Sequence, residues 1–393
     1  MTKNVFVAGV GMIPFTKPGT SESYDVMGSK AITLALEDAG LSFDLVQQAY
    51  AGFVYGDSCS GQKAIYSAGM SGIPIINVNN NCSTGSSALY LARQAVETGA
   101  VDCALAVGFE EMRPGALKML FDDRVSAVAL FDETTARLVD EDLPIALRYF
   151  GGAGLQHMRR YGTTMADFAR VRAKASRHAS NNPLSIFRKV LTEEDVMNDK
   201  VMWPGVMTRL MACPPTCGAA AAIVASPKFM QRHALTAQVR IIGQAMTTDR
   251  PNTFDSEDMM NLVGFDIARR AAKQAYEKAG VGPEEIPVVE LHDCFAQNEV
   301  ITYEALGLCP EGGAQKLIAD GDNTYGGKYV TNPSGGLLSK GHPLGATGLA
   351  QCYELVHQLR GSAGPRQVDG ARHALQHNLG LGGACVVTVY EKC

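Results

Sequence analysis

Polar and apolar positions along the chain fall into short β-rich runs alternating with longer helical stretches, and one order of elements occurs twice. Val5-Phe6-Val7-Ala8 reads as an opening strand. Ala35-Leu36-Glu37-Asp38-Ala39-Gly40-Leu41 and, 240 residues later, Ala275-Tyr276-Glu277-Lys278-Ala279-Gly280-Val281 each read as a helix closed by a glycine C-cap. A β-rich run follows each, Ala49 to Tyr55 in one half and Val288 to Phe295 in the other. Cys82-Ser83-Thr84-Gly85 then enters a helix-patterned stretch to about Glu97. At an offset of 260, His342-Pro343-Leu344-Gly345 enters another to about Leu359, with Gly85 on Gly345 and Leu89 on Leu349. The strand-like Gly218 to Val224 and Gly383 to Val389 make a third echo. Three echoes in one order predict an α/β protein of two duplicated halves, each a helix-covered sheet.

The echoes also locate an insertion. Cys82 and Gly218 are 136 residues apart, whereas His342 and Gly383 are 41 apart, so the first half carries 95 extra residues. The expected division is a first half over 1–118, completed by about 211–235, an inserted region over 119–210, and a second half over 236–393. Within the insertion an acidic stretch (Asp122, Asp123, Asp132, Glu133, Asp140, Glu141, Asp142) precedes a basic one. Arg159, Arg160, Arg170, Arg172, Lys174, Arg177, Arg188 and Lys189 face the single acid Asp167, a surplus of +7 over 31 residues. A solvated helical face is the ordinary meaning of such a run; the sharper one is a surface for phosphate groups.

Bulk composition narrows the classes. At 393 residues the chain exceeds what one core usually serves. A net charge of −5 gives no overall footprint for nucleic acid or an anionic membrane, and no apolar run reaches membrane-spanning length. The N-terminus lacks a signal-peptide layout and Glu391-Lys392-Cys393 is not a peroxisomal address, so a cytoplasmic protein is expected. Peroxisomal import without a C-terminal tag of its own is the alternative. Ten cysteines in such a chain read as reduced thiols. Cys213 and Cys217 are the one close pair, with no second pair at metal-ligand spacing, and no metal is expected.

Four motifs carry chemistry. Cys82 follows Ile75 to Asn81, a strand that turns polar at its end, and starts a helix. A strand-to-helix elbow presents a nucleophile, and a helix N-terminus is expected to lower the thiol pKa and offer N–H groups to an oxyanion. His342 lies among glycines, with Pro343 suited to a first helical turn, and can act as a base or simply cap its helix. At the end of a second-half strand, His292-Asp293-Cys294-Phe295 offers a second acid/base thiol in Cys294 and a donor in His292; the bland alternative is that His292 and Asp293 brace the loop. His377-Asn378-Leu379-Gly380, before the last strand, could turn backbone N–H groups toward a cavity.

Together, Asn77-Val78-Asn79-Asn80-Asn81-Cys82, His292-Asp293-Cys294-Phe295, Gly321-Asp322-Asn323-Thr324-Tyr325-Gly326-Gly327-Lys328 and Gly341-His342-Pro343-Leu344-Gly345-Ala346-Thr347-Gly348 resemble the thiolase superfamily, and within it the sterol carrier protein 2 thiolases, over the whole chain. The resemblance implies a five-layered α-β-α-β-α fold with an inserted loop domain and a 3-ketoacyl-CoA thiolase activity on long, branched or sterol side-chain acyl groups. Cys82 would be the acylated nucleophile and His342 its activator. The usual Cys-x-Gly motif reads Asn378-Leu379-Gly380 here, so Cys294 would supply the second thiol. The N–H groups of Cys82 and Gly380 would hold the thioester oxyanion, and His292 and His342 the enolate oxygen. No cofactor would be bound permanently. Coenzyme A would be a co-substrate, its phosphates met by Arg159, Arg160, Arg170, Arg172, Lys174 or Arg177. The family's carrier domain would lie beyond residue 393, and a homodimer or tetramer is implied. A thiolase-fold aldolase and a non-catalytic acyl-CoA or lipid-binding partner are the alternatives.

Overall fold

The computed structural model describes residues 4–114 and 123–393. Residues 1–3, Asp122 and the expected boundary at 118/119 lie outside the described residues. The described residues form twelve strands: β1 (Val5–Met12), β2 (Gln48–Gly52), β3 (Ile75–Val78), β4 (Cys103–Glu110), β5 (Val201–Trp203), β6 (Met207–Thr208), β7 (Gly218–Ala225), β8 (Val239–Thr247), β9 (Val288–Glu290), β10 (Val330–Thr331), β11 (His373–Gly380) and β12 (Ala384–Lys392).

Ten of these form one ladder whose order, β10-β9-β11-β12-β8-β1-β7-β4-β2-β3, is two five-stranded units meeting at β8 and β1. In the first unit β3, β2 and β4 are parallel, and β7 and then β1 add antiparallel. In the second β10, β9 and β11 are parallel, and β12 and then β8 add antiparallel. The junction is two residue pairs, Val5 with Ile241 and Phe6 with Arg240. The duplication legible in the sequence is therefore a duplication of sheet topology.

Side-chain alternation sorts each sheet between two layers. On β4, Ala104 and Ala106 pack with the Thr84–Thr98 and Thr347–Arg360 helices, whereas Cys103, Leu105 and Val107 pack under the Tyr24–Ala39 helix. On β11, Ala374 faces the central helices and Leu375 faces the Phe265–Ala279 and Ala296–Ala305 helices. The result is the five-layered α-β-α-β-α thiolase fold. Gly40 and Gly280 close their helices in the left-handed region at φ 66° and 72°, as the glycine signals predict.

Among the described residues, four α-helices lie between β4 and β7, Ala129–Leu138, Ile145–Tyr161, Met165–Ser180 and Glu193–Met197, with the small β5–β6 pair. Their apolar faces join the outer core of the second half: Phe150 stacks on Phe295 at 4.7 Å between centroids. Among the described residues no helix is long and apolar enough to cross a membrane.

Candidate active site

The two central helices meet at their N-terminal ends, where the duplicated motifs face each other. Glycine makes this approach possible: a Cβ on Gly85 would lie 2.7 Å from the Gly345 carbonyl oxygen, and one on Gly345 2.4 Å from that of Phe109. The two glycines that align in the sequence touch in the fold.

Cys82 sits just before its helix, not inside it. Asn81 holds φ 49°, a left-handed turn that a non-glycine residue adopts at a cost, and the helix starts at Thr84. The Asn81 side chain donates to Leu381 O at 2.9 Å, tying the elbow to the β11–β12 turn. The expectation that the helix end lowers the thiol pKa is not met. Ser83 and Thr84 spend their N–H groups on Asn80 O and Asn81 O, at 3.1 Å each. Burial, then the nearby Glu110, push the Cys82 thiol up to about 12.

His342 likewise precedes its helix, which begins at Thr347, so Pro343 occupies a turn and not a first helical turn. A π-helical turn over Gly336–Lys340 delivers it, with Gly341 at φ 115°. Asp293 holds this turn by accepting from Leu337 N at 2.7 Å, and Glu290 accepts from Ser334 N at 3.0 Å and from Lys340 Nζ at 3.1 Å. Asp293 therefore braces the loop; His292 lies in the site. The His342 N–H donates to Thr216 Oγ1 at 3.1 Å. Its Nδ1 lies 2.7 Å from Thr347 Oγ1, whose hydroxyl donates to Pro343 O at 2.9 Å. Nδ1 is then the donor, and the buried Nε2, which has no hydrogen-bond partner among the described residues, carries the lone pair. Burial, reinforced by Lys340, keeps this imidazole neutral, its pKa pushed down to about 3.

Cys82, His292 and His342 come together. The thiol and one nitrogen of each ring lie within 4.8 Å of one another, and the two rings stand edge to face, 5.0 Å between centroids. Burial, then the neighbouring His342 and His377, hold His292 neutral. Cys294 is buried beside them; burial first, then the Cys213 and Cys82 thiols, raise its pKa well above the usual thiol value. Gly380 completes the ring: a Cβ there would lie 2.2 Å from Asn80 O, which only glycine permits.

The basic run divides. Arg159, Arg170 and Arg177 are exposed, and Arg170 already pairs with Asp167 and Glu193 at 3.1 and 3.3 Å. Arg160, exposed as well, pairs with Asp258 at 2.9 Å. Arg172 and Lys174 are buried and do not belong to a phosphate surface. Arg172 donates to Ser339 Oγ at 2.6 Å, and Lys174 is held by Glu299, Tyr303 and Thr331. Helical spacing carried this signal: Phe168, Val171, Ala175 and His178 mark the inner face on which both residues lie.

Four groups escaped the sequence reading. Glu110, at the end of β4, accepts from Val54 N, Tyr55 N and Gly345 N at 3.1, 2.9 and 2.9 Å, so the first half holds the His342 loop of the second. Burial raises its pKa to about 7, against those three hydrogen bonds. An acid ending a strand buried on both faces was the available signal. Cys213 N donates to Cys294 O at 2.9 Å, and Pro215 bridges to His342, so the strand returning from the inserted region clamps both loops. Thr347 and the Asn378 side chain gave no signal, because each acts through a histidine.

Comparison with known proteins agrees with this fold. Residues 5–182 match the family described as "Thiolase, N-terminal domain" and 249–391 that described as "Thiolase C-terminal domain-like". Sterol carrier protein 2 of Bos taurus is 52% identical over 395 residues, covering all of this chain and 73% of that protein. Among solved structures, the Ltp2-ChsH2(DUF35) aldolase superposes with a TM-score of 0.84 at 22% identity, covering 100% of this chain and 98% of that one. Human mitochondrial 3-ketoacyl-CoA thiolase in complex with CoA superposes at 0.74 and 19%, covering 100% and 98%. The chain belongs to the thiolase family, in its sterol carrier protein 2 group.

Proposed function

We propose that the protein is a coenzyme A-dependent 3-ketoacyl-CoA thiolase working through a Cys82 acyl-enzyme. The observation that carries this is the Cys82 thiol facing a neutral His342 whose Nε2 lone pair is unengaged, with His292 in the same cluster and the buried Cys294 thiol near enough for Cys82 to raise its pKa. His342 takes the thiol proton as the sulfur attacks the 3-keto carbon. The C2–C3 bond then breaks, Cys294 protonates the leaving carbanion, and acetyl-CoA, or propionyl-CoA from a 2-methyl substrate, departs. The proton on His342 restores Cys294. His342 next deprotonates the thiol of an incoming coenzyme A, which takes the acyl group, and the proton returns to Cys82. His292 and His342 face the enolate oxygen, and the N–H groups of Cys82 and Gly380 the thioester oxyanion. Long, branched or sterol side-chain acyl groups are the proposed substrates. Arg159 and Arg177, exposed on neighbouring helices, are the foremost candidates for the coenzyme A phosphates.

Two further parts of the reading are an assembly and a place. The edge strand β3, with Ile75, Ile76 and Val78 half-buried, supports a homodimer, and light scattering giving a monomer mass would remove it. A cytoplasmic location is proposed from the sequence alone.

Intact-mass measurement after mixing with a 3-ketoacyl-CoA tests the activity: Cys82 carries the acyl group, and an unmodified protein sinks the reading. A second reading, an aldolase on steroid side-chain CoA esters, is favoured by the higher TM-score of the aldolase structure, 0.84 against 0.74. It requires no acyl-enzyme, so the same spectrum separates the two. A non-catalytic acyl-CoA or lipid-binding partner also leaves Cys82 bare, and is told from the aldolase by the absence of any carbon–carbon cleavage.

A further inference from the structure

The two histidines facing Cys82 have opposite partners at Nδ1. His342 meets the Thr347 hydroxyl, which accepts from it. His292 meets the Asn378 amide, whose Nδ2 lies 3.1 Å from His292 Nδ1 and 3.0 Å from Cys82 O. A carbonyl oxygen can only accept, so the contact with Cys82 O fixes the amide with its NH2 group on that side. The same nitrogen has a second hydrogen to give, and His292 Nδ1 must accept it. The ring proton of neutral His292 is thereby forced onto Nε2.

We propose that Asn378 is a positioning residue that locks His292 in the Nε2–H tautomer. His292 thus becomes an obligate hydrogen-bond donor toward the substrate oxygen, and the Cys82–His292–His342 cluster loses a lone pair that a transition metal would need. The first consequence rests on the thiolase reading; the second does not. A thiol and two imidazoles within 4.8 Å are a ligand set suited to zinc. A metal-bound histidine must present a bare nitrogen to the ion and usually donates its other N–H to an acceptor. Thr347 gives His342 that arrangement, whereas Asn378 denies it to His292. Asn378 is also costly to keep, since its buried Oδ1 has no partner among the described residues. Packing alone would be served more cheaply by an apolar side chain; a requirement for a donor at that position accounts for the amide.

Asn378→Asp inverts the arrangement with almost no change of shape. The carboxyl oxygen facing His292 accepts from Nδ1–H, which bares Nε2. Histidine 15N NMR of the substrate-free enzyme reads the tautomer directly. His292 of the wild type carries its proton on Nε2, and in the variant the proton moves to Nδ1. Titration with Zn2+ alone, followed by calorimetry and by protection of Cys82 from alkylation, shows a gain of about tenfold or more in affinity for the variant. Acylation of Cys82 by acetyl-CoA persists in the variant, while its acylation by a 3-ketoacyl-CoA, which requires carbon–carbon cleavage, slows by about 10²-fold, the loss expected for one oxyanion donor. A wild-type His292 protonated on Nδ1 overturns the proposal, and so does equal zinc affinity in the two proteins. The wild-type spectrum alone decides the matter if the variant fails to fold. A Cys82 that never acylates, with the tautomer and zinc results as expected, overturns the thiolase reading and leaves the lock standing.

Discussion

The Cys82 end of the first half and the His342 end of the second occupy equivalent places in two halves of like topology and carry opposite chemistry, a thiol against an imidazole. Both follow a sheet of the same topology, and both lead into a central helix closed at φ 79° or 78° by Gly99 or Gly361. They differ in the last few residues before the helix. On the first side a single left-handed residue, Asn81, turns the chain, and amides and hydroxyls hold it: Asn80 N donates to Thr84 Oγ1 at 2.8 Å and Ser83 Oγ to Asn80 O at 2.9 Å. On the second, a π-helical turn delivers the histidine, and three buried carboxylates (Glu290 and Asp293 from its own half, Glu110 from the other) hold it. Duplication thus supplies two equivalent points that face each other. Divergence confined to the approach loops places a thiol at one point and an imidazole with an unengaged nitrogen at the other.

The largest break in that pairing is removal of either member. Cys82→Ser and His342→Asn are each expected to lower kcat for thiolysis by about 10³–10⁴-fold, and the double variant is expected to lose little more than either single one. Losses that multiply would show that the residues do not act as a unit.

The next test separates the halves electrostatically. Glu110 has its pKa raised by burial from 4.5 to about 7, so the folded protein binds its proton more tightly than the unfolded chain does. That contribution to stability is fully present below pH 4.5 and is lost as pH rises through about 7. Its size is on the order of 3 kcal/mol. In Glu110→Gln the stability measured by urea unfolding no longer declines from pH 5 to pH 8 by this amount, while the His342 loop loses one acceptor. A decline identical in both proteins would mean that Glu110 stays ionised throughout.

Much of this was legible in the sequence, and the reason is locality. Glycine caps, the Asn81–Cys82 elbow and the echo of Gly85 in Gly345 are each written within a few residues, so their elements and even their contact follow from short patterns. What escaped depends on partners distant in the chain. Glu110 acts on Gly345 across 235 positions, Asn378 acts on His292 across 86, and Lys174 finds Glu299 across 125. Arg172 and Lys174 mislead for a related reason, since a run of charge says nothing about which helix face it lies on until the apolar period is laid over it. The thiol pKa went astray because burial, and then Glu110, which lies 28 positions away in the chain, outweigh what a helix end gives a thiol.

A smaller perturbation tests how closely the halves must approach. Gly345→Ala places a methyl 2.4 Å from Phe109 O and 2.7 Å from Gly52 O, both backbone atoms that cannot swing aside. Overpacking of this kind costs about 1–3 kcal/mol. Urea midpoints are expected to fall further for Gly345→Ala than for Gly85→Ala, whose added methyl meets one backbone oxygen at 2.7 Å and two nitrogens at 3.2 Å. Equal, negligible losses would show that the central helices have room to separate.

The finest test addresses what distinguishes the second half's histidine from its neighbour. Thr347→Val keeps the shape of the side chain and removes the hydroxyl that accepts from His342 Nδ1. With no acceptor there, the ring is free to exchange tautomers, and the fraction with a bare Nε2 falls. Loss of one such hydrogen bond corresponds to about tenfold in acyl-enzyme formation. Because the variant shifts a tautomer and not a charge, its pH–rate profile should keep the wild-type shape while the whole curve drops. A changed shape would instead mean that Thr347 governs whether His342 is protonated. His342 would then owe its neutrality to this one contact, and not to burial in the layer that the two halves share.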